Sequence, residues 1–302
     1  MSITITGAGG FLGQRLTKLL AGRGEKLVLA DLVAPPNPPA GAKVLKGNLS
    51  ETLQDAITKD TTAVIHLAAV VSAGAEADFA HGYDVNLTGL RAVLERCRNL
   101  TTRPKFLFTS SLAVFGAVER VNDTTATMPQ SSYGAQKALG ELLVNDYSRK
   151  GFIQGRTLRL PTVVIRPGKP NAAASSFASG ILREPLAGEE SICPVSPDLA
   201  LWIASPASVT QAMAHALDLD DAQLAPWRTL NVPGITVTVR EMVEALGKAG
   251  GDTSLVKFRH DPAIDAIVGS WPALFETPRA LDLGFPPADD LDTLIQSHIN
   301  GL

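Results

Sequence analysis

The sequence predicts an α/β fold, a doubly wound parallel sheet followed by a smaller, mostly C-terminal α/β region. Three observations carry this. Short β-branched runs alternate with helix-period segments over the first 165 residues. A glycine-rich turn joins the first such run to an apolar helix, and the pattern changes after Pro167. Strands alternating with helices imply right-handed crossovers and a parallel sheet covered on both faces.

In chain order, the first strand is "SITIT" at 2–6, feeding "TGAGGFLG". Gly7, Gly10 and Gly13 form GxxGxxG; the stricter GxGxxG fails because Leu12 occupies its last position. Glycines here allow a tight turn and a close approach of backbone to an anion, which then meets the N–H groups opening the helix. That strand–turn–helix context makes the arrangement Rossmann-type and points to a dinucleotide. "KLVLA" at 26–30 is the second strand, and Asp31 after it lies 18 residues past Gly13. A carboxylate there suits ribose hydroxyls and repels a 2′-phosphate, so NAD is expected over NADP. As a competing reading, Asp31 is a plain strand-end turn residue.

Further strands are expected at 42–47, 62–68, 105–110 and 156–164, and "APPNPPAGA" at 34–42 reads as a loop. Segment 84–98 places Leu87, Leu90, Leu94 and Cys97 at spacings of three and four, a helical period. "HLAA" at 66–69, leading on to Ser72, and "TSS" at 109–111 end apolar strands in small or hydroxyl residues. Ligands of open parallel sheets bind beyond the carboxyl ends of strands. Another helix begins at Tyr133 in "SSYGAQKALGE". Tyr133 and Lys137 share a face one turn apart, and Leu139 and Leu142 are expected on the core side. The pair is either a solvated surface pair or a proton-transfer device. In the second case an ammonium favours the phenolate, and Ser111 holds a substrate oxygen while Tyr133 exchanges its proton.

After Pro167, "RPGKPNAAASSFASG" is rich in small residues, a strand near 227–233 looks able to rejoin the main sheet, and Thr238 with Glu241 forms a capping box opening a helix. We therefore expect residues 1–166 to bind NAD and 167–302 to bind substrate.

Bulk properties narrow the partners. With 27 Lys and Arg against 30 Asp and Glu, the net charge of −3 and the absence of a basic run disfavour nucleic acid and membrane surfaces. Two cysteines and five scattered histidines form neither a disulfide framework nor a metal-ligand spacing, so no metal is expected. "MSITITGAGG" carries no basic region ahead of an apolar stretch, and a cytoplasmic location is the default.

Together, GxxGxxG, Asp31, "HLAA", Ser111 in "TSSLAVFG" and "YGAQK" resemble the extended short-chain dehydrogenases/reductases, an NAD-dependent epimerase/dehydratase superfamily, over essentially the whole chain. The resemblance implies Ser111, Tyr133 and Lys137 as catalytic residues, with Tyr133 the general acid/base and Lys137 lowering its pKa and binding ribose. It implies a cofactor site of Gly7, Gly10, Phe11, Leu12, Gly13, Asp31, Asn48, Leu49, Leu67, Ala68, Ala69, Ser72, Tyr133, Lys137 and Pro161. Asn86 matches a recurrent position and reads as structural. A homodimer through helices 84–98 and 133–148 is implied as well.

Two positions depart from the superfamily. Sugar-nucleotide epimerases and dehydratases carry an Asn three residues after the arginine matching Arg159; here stands Thr162. The usual "GDL" near adenine is "GNL", with Asn48. The stretch "RLPTVVIRPGKPNAAASSFASGILREPLAG" is similar to D-erythronate dehydrogenases, which oxidise the C2 hydroxyl of a four-carbon sugar acid with NAD. That likeness implies a small sugar-acid substrate touched by Ser72, Ser111, Tyr133, Thr162, Asn171, Ser175, Ser176 and Arg183. The contrasting readings are a nucleotide-sugar epimerase or dehydratase, disfavoured by Thr162, and a non-catalytic NAD sensor, which needs no proton relay.

Overall fold

The computed structural model describes residues 1–168 and 173–301. Its centre is a seven-stranded sheet in the order Thr229–Asn231, Gln154–Leu160, Lys105–Ser111, Thr61–His66, Ser2–Thr6, Leu27–Asp31, Lys43–Lys46. Every pairing in it is parallel. The inner strands are largely buried on both faces because helices cover both. Leu16 and Leu20 of helix Phe11–Gly22 meet Ile5, Leu29, Val209 and Met213 on one side. Leu90, Leu94 and Val144 meet Val64, Phe106 and Phe108 on the other. The α/β, doubly wound parallel architecture is therefore the one found.

Strand order reverses between Ser2–Thr6 and Thr61–His66, opening a crevice beyond their carboxyl ends. Strand Thr229–Asn231 arrives from far along the chain and extends the sheet beside Gln154–Leu160, with Leu230 opposite Leu158. A second core forms around Ile181, Leu182, Leu201, Ile203, Met242 and Leu246. Thr162–Val163 belongs to its three-stranded sheet with Ala200–Ala204 and Ile235–Thr238. Pro161 and Thr162 thus stand where the chain leaves the large sheet for the small one, at the crevice mouth. Helix Val239–Lys248 opens on the capping box, Glu241 N–H donating to Thr238 Oγ1 at 3.1 Å and Thr238 N–H to Glu241 Oε2 at 2.6 Å.

One expectation about packing is overturned. Leu139 and Leu142 are 39% and 56% exposed, not core residues. The buried face of helix Ser132–Arg149 is instead Gly134, Lys137, Gly140, Glu141, Val144 and Ser148. Gly140 explains how: a Cβ there would lie 2.6 Å from the Phe108 ring, so only glycine lets this polar face sit against the sheet. Among the described residues no helix is long and apolar enough to cross a membrane.

Candidate active site

Two cavities of about 350 and 500 Å³ adjoin at Gly7, Gly10, Leu67 and Ala69, along the crevice that the strand reversal opens. The glycine turn is built for close approach. Gly7 has φ +74°, and a Cβ on it would meet Ala68 N at 2.5 Å; one on Gly13 would meet Gly7 O at 2.3 Å. No side chain caps helix Phe11–Gly22, so its first N–H groups remain available to an anion at the turn. Phe11, Leu12 and Gly13 line the smaller cavity with Ser72 and Pro161, while Ala68, Asp31, Asn48 and Leu49 line the larger. Asp31 also does turn work: Gly9 N–H donates to its Oδ2 at 2.8 Å and Val33 N–H to its Oδ1 at 3.1 Å. A glycine cradle at a helix start, with a carboxylate at the end of the neighbouring strand, fits a dinucleotide.

The smaller cavity holds Ser111, Tyr133 and Lys137 together. Ser111 closes strand Lys105–Ser111, and its Oγ accepts from Ala113 N at 3.2 Å. Tyr133 stands in the first turn of helix Ser132–Arg149, which Ser131 caps by accepting from Gly134 N at 3.1 Å. Lys137 Nζ donates to Thr109 O at 2.8 Å and lies 5.5 Å from the Tyr133 ring centroid. Burial pulls the Lys137 pKa down to about 8, against the pull of Glu141.

The expected lowering of the tyrosine by Lys137 is not what the structure gives. Burial pushes the Tyr133 phenol up to about 12, and the groups opposing this are the Arg166 guanidinium and the Ser111 hydroxyl. In the protein alone Lys137 spends its ammonium on a backbone carbonyl.

Three residues that sequence reasoning passed over support this arrangement. Glu141, one turn past Lys137, takes both hydrogen bonds of Arg159, at 2.8 and 2.6 Å, and one from Ser110 Oγ at 2.5 Å. Its helical spacing from Tyr133 and Lys137 was the available signal. His66 shares a hydrogen bond with Thr6 Oγ1 at 2.8 Å; burial foremost, and then the charge of Lys137, lower its pKa to about 3. Arg166 lines the cleft, and only its place in a small-residue loop could have drawn attention to it. Asn86 ties the loop after Thr61–His66 to the catalytic helix: its Oδ1 accepts from Val70 N at 2.8 Å, and its Nδ2 donates to Val70 O at 2.9 Å and Gln136 Oε1 at 2.7 Å.

Of the substrate candidates, Ser72, Thr162 and Ser175 line the cleft with Ser111 and Tyr133. Ser72 Oγ accepts from Ala174 N at 2.9 Å, closing the loop over that side. Ser176 opens helix Ser176–Leu186 outside the cleft lining. Arg183 is not brought to the cleft either: its guanidinium donates to Arg166 O and to Glu184. Asn171 lies outside the described residues. Among those described, no three His, Cys, Asp or Glu side chains gather as metal ligands.

Residues 3–202 match the model of the NAD dependent epimerase/dehydratase family. A D-erythronate dehydrogenase of Cupriavidus necator is 48% identical, over 99% of this chain and 98% of that one. A D-erythronate dehydrogenase of Haemophilus influenzae is 46% identical, over 99% of each. Among solved structures, a nucleoside-diphosphate-sugar epimerase from Agrobacterium tumefaciens superposes with a TM-score of 0.91 at 40% identity, covering 99% of this chain and 94% of that one.

Proposed function

The chain belongs to the NAD-dependent epimerase/dehydratase family, and from that premise we propose that it oxidises the C2 hydroxyl of a small sugar acid, D-erythronate to 2-dehydro-D-erythronate. The observation carrying this reading is identity of 48% and 46%, along essentially the whole chain, to two D-erythronate dehydrogenases. NAD is the cofactor, and when bound it supplies the hydride acceptor. We assign its binding to residues 1–166 and that of the substrate mainly to 167–302.

Ser111 holds the C2 oxygen by hydrogen bonding while Tyr133, as phenolate, takes the hydroxyl proton. As that proton leaves, the C2 hydrogen departs with its electron pair and the carbonyl forms. Lys137 fixes the floor of the site from Thr109 and is placed to meet the cofactor's ribose.

A nucleotide-sugar epimerase is the second reading, raised by the name of the Agrobacterium structure. Thr162, 6% exposed in the cleft wall, argues against it, because a diphosphate site of that class has an Asn amide here. A panel of four- to six-carbon aldonic and uronic acids beside UDP-sugars, read by NADH absorbance, tests the choice. Oxidation of D-erythronate is expected; turnover confined to UDP-sugars would overturn it.

We further propose a cytoplasmic homodimer. Leu139 and Leu142, exposed on the helix that carries Tyr133, give its contact an apolar centre. Light scattering at micromolar concentration is the test, and a monomer would refute it.

A further inference from the structure

Arg166 is held by its backbone and free at its tip. Its N–H donates to Ser179 Oγ at 3.0 Å, and its carbonyl accepts from Arg183. Arg166 lines the cleft, with its guanidinium close enough to Tyr133 for each charge to act on the other. Yet Nη2 is buried with no hydrogen-bond partner. Arg183, the other cation here, has Glu184 as its counter-ion; Arg166 has none among the described residues. A buried guanidinium nitrogen without an acceptor is costly, and an arriving anion removes that cost.

A second orphan donor borders the same space. Trp271 lines the cleft, and its indole N–H is buried without an acceptor. Among the described residues no carboxylate side chain lines this cavity. Two side chains of its wall therefore carry a buried unsatisfied donor, one of them cationic, and a ligand toward which they turn can supply the missing acceptor.

We propose that Arg166, assisted by the Trp271 indole N–H, binds the carboxylate of the sugar acid and so determines which hydroxyl is oxidised. The inference rests on the sugar-acid reading above and deepens it. A carboxylate carbon is bonded directly to C2, so anchoring it beside Tyr133 brings the C2 hydroxyl, rather than C3 or C4, to Ser111 and Tyr133. A guanidinium suits the task because it meets both carboxylate oxygens in one plane. Selectivity for acids over uncharged polyols follows from the same contact, since a neutral ligand leaves the partly buried cation uncompensated.

The test is calorimetric titration of NADH-saturated protein with D-erythronate and with its uncharged amide, in wild type, Arg166→Met and Arg166→Lys. NADH titration of each variant reports an intact fold. Arg166→Met is expected to weaken D-erythronate about 100-fold, the order of effect for losing one partner of a desolvated charge pair, while the amide changes by less than about threefold. Arg166→Lys falls between, and guanidinium ion added to Arg166→Met restores part of the acid affinity. In turnover the loss appears mainly in KM for D-erythronate. If wild type oxidises D-erythronate and Arg166→Met binds it as tightly, this inference fails and the proposed function stands. Equal loss of acid and amide also overturns it, because that is a packing effect. Wild type that neither binds nor oxidises any sugar acid overturns the functional reading and this one with it. Should Arg166→Met lose NADH binding, the ratio of acid to amide affinity in Arg166→Lys decides: a ratio unchanged from wild type refutes the anchor, a reduced one supports it.

Discussion

Glu141 is gripped at both carboxylate oxygens by Arg159, at 2.8 and 2.6 Å, two turns along the helix from Tyr133. The pair is buried on both sides and roofed by Phe115, whose ring centroid lies 4.6 Å from the guanidinium carbon. It clamps the helix bearing Tyr133 and Lys137 to the strand leading into Pro161 and Thr162. Removing one member strands the other charge, at a cost of about 3–5 kcal/mol. Glu141→Leu and Arg159→Met should each lose that order of stability in urea titrations, and the double variant should lose less than either. Additive losses would show that the two do not act as a pair.

Acid stability should depend on His66. This ring is 2% exposed, and its pKa is held near 3, below the 6.5 of an unfolded histidine. The unfolded chain therefore takes up the proton first. The contribution is complete above pH 6.5 and is lost progressively down to about pH 3, on the order of 5 kcal/mol in total. His66→Gln keeps a partner for Thr6 without an imidazole to protonate, so its stability should fall less steeply between pH 7 and 4. Parallel wild-type and variant curves would assign the acid sensitivity elsewhere.

What could be read from the chain, and what could not, divides along physical lines. Strands and crossover helices announce themselves by local period, and the glycine turn by steric need, so the dinucleotide turn is legible in residues 2–31, whereas the strand reversal that opens the crevice beside it is not. Ser111 ends a strand and Tyr133 and Lys137 share a helix face, which spacing describes, but spacing leaves a solvated surface pair open and it is the family resemblance that implies their catalytic role. The outward turn of Leu139 and Leu142 was not readable, because apolar spacing does not say that a glycine at 140 admits a polar face to the sheet. Glu184 follows Arg183 in the sequence, but only the fold shows that the two pair and that Arg166, not Arg183, lines the cleft. The Glu141–Arg159 pair depends likewise on where a helix crosses a strand.

Asp31 should decide the choice between the two dinucleotides. Its carboxylate lines the larger cavity while holding the Gly9 and Val33 amides. A 2′-phosphate brought there meets a fixed like charge, so NAD should bind on the order of 100-fold more tightly than NADP. Asp31→Ala should shrink that gap to roughly tenfold or less, while weakening both ligands somewhat as the turn loses its acceptor. Fluorescence titration of both dinucleotides measures this, and equal affinities in wild type would remove Asp31 from the site.

Tyr133 carries the chemistry, and its ionisation sets the pH dependence. With the phenol held near 12 in the protein alone, the phenolate fraction rises about tenfold per pH unit through the neutral and alkaline range. Oxidation of D-erythronate needs that phenolate as proton acceptor, so kcat should climb with pH until another step limits it. The Ser111 hydroxyl and the Arg166 charge oppose the burial that keeps the proton on. Ser111→Ala should accordingly shift the rise to higher pH as well as lower the rate. Tyr133→Phe preserves the ring and removes the acceptor. Its kcat should fall by roughly 10²–10⁴ and lose the alkaline rise, with NAD affinity within about twofold of wild type. Rates read from NADH absorbance between pH 7 and 10, beside NAD titrations of each variant, separate proton transfer from cofactor binding. A Tyr133→Phe protein as fast as wild type, with the same pH profile, would mean that another group takes the proton.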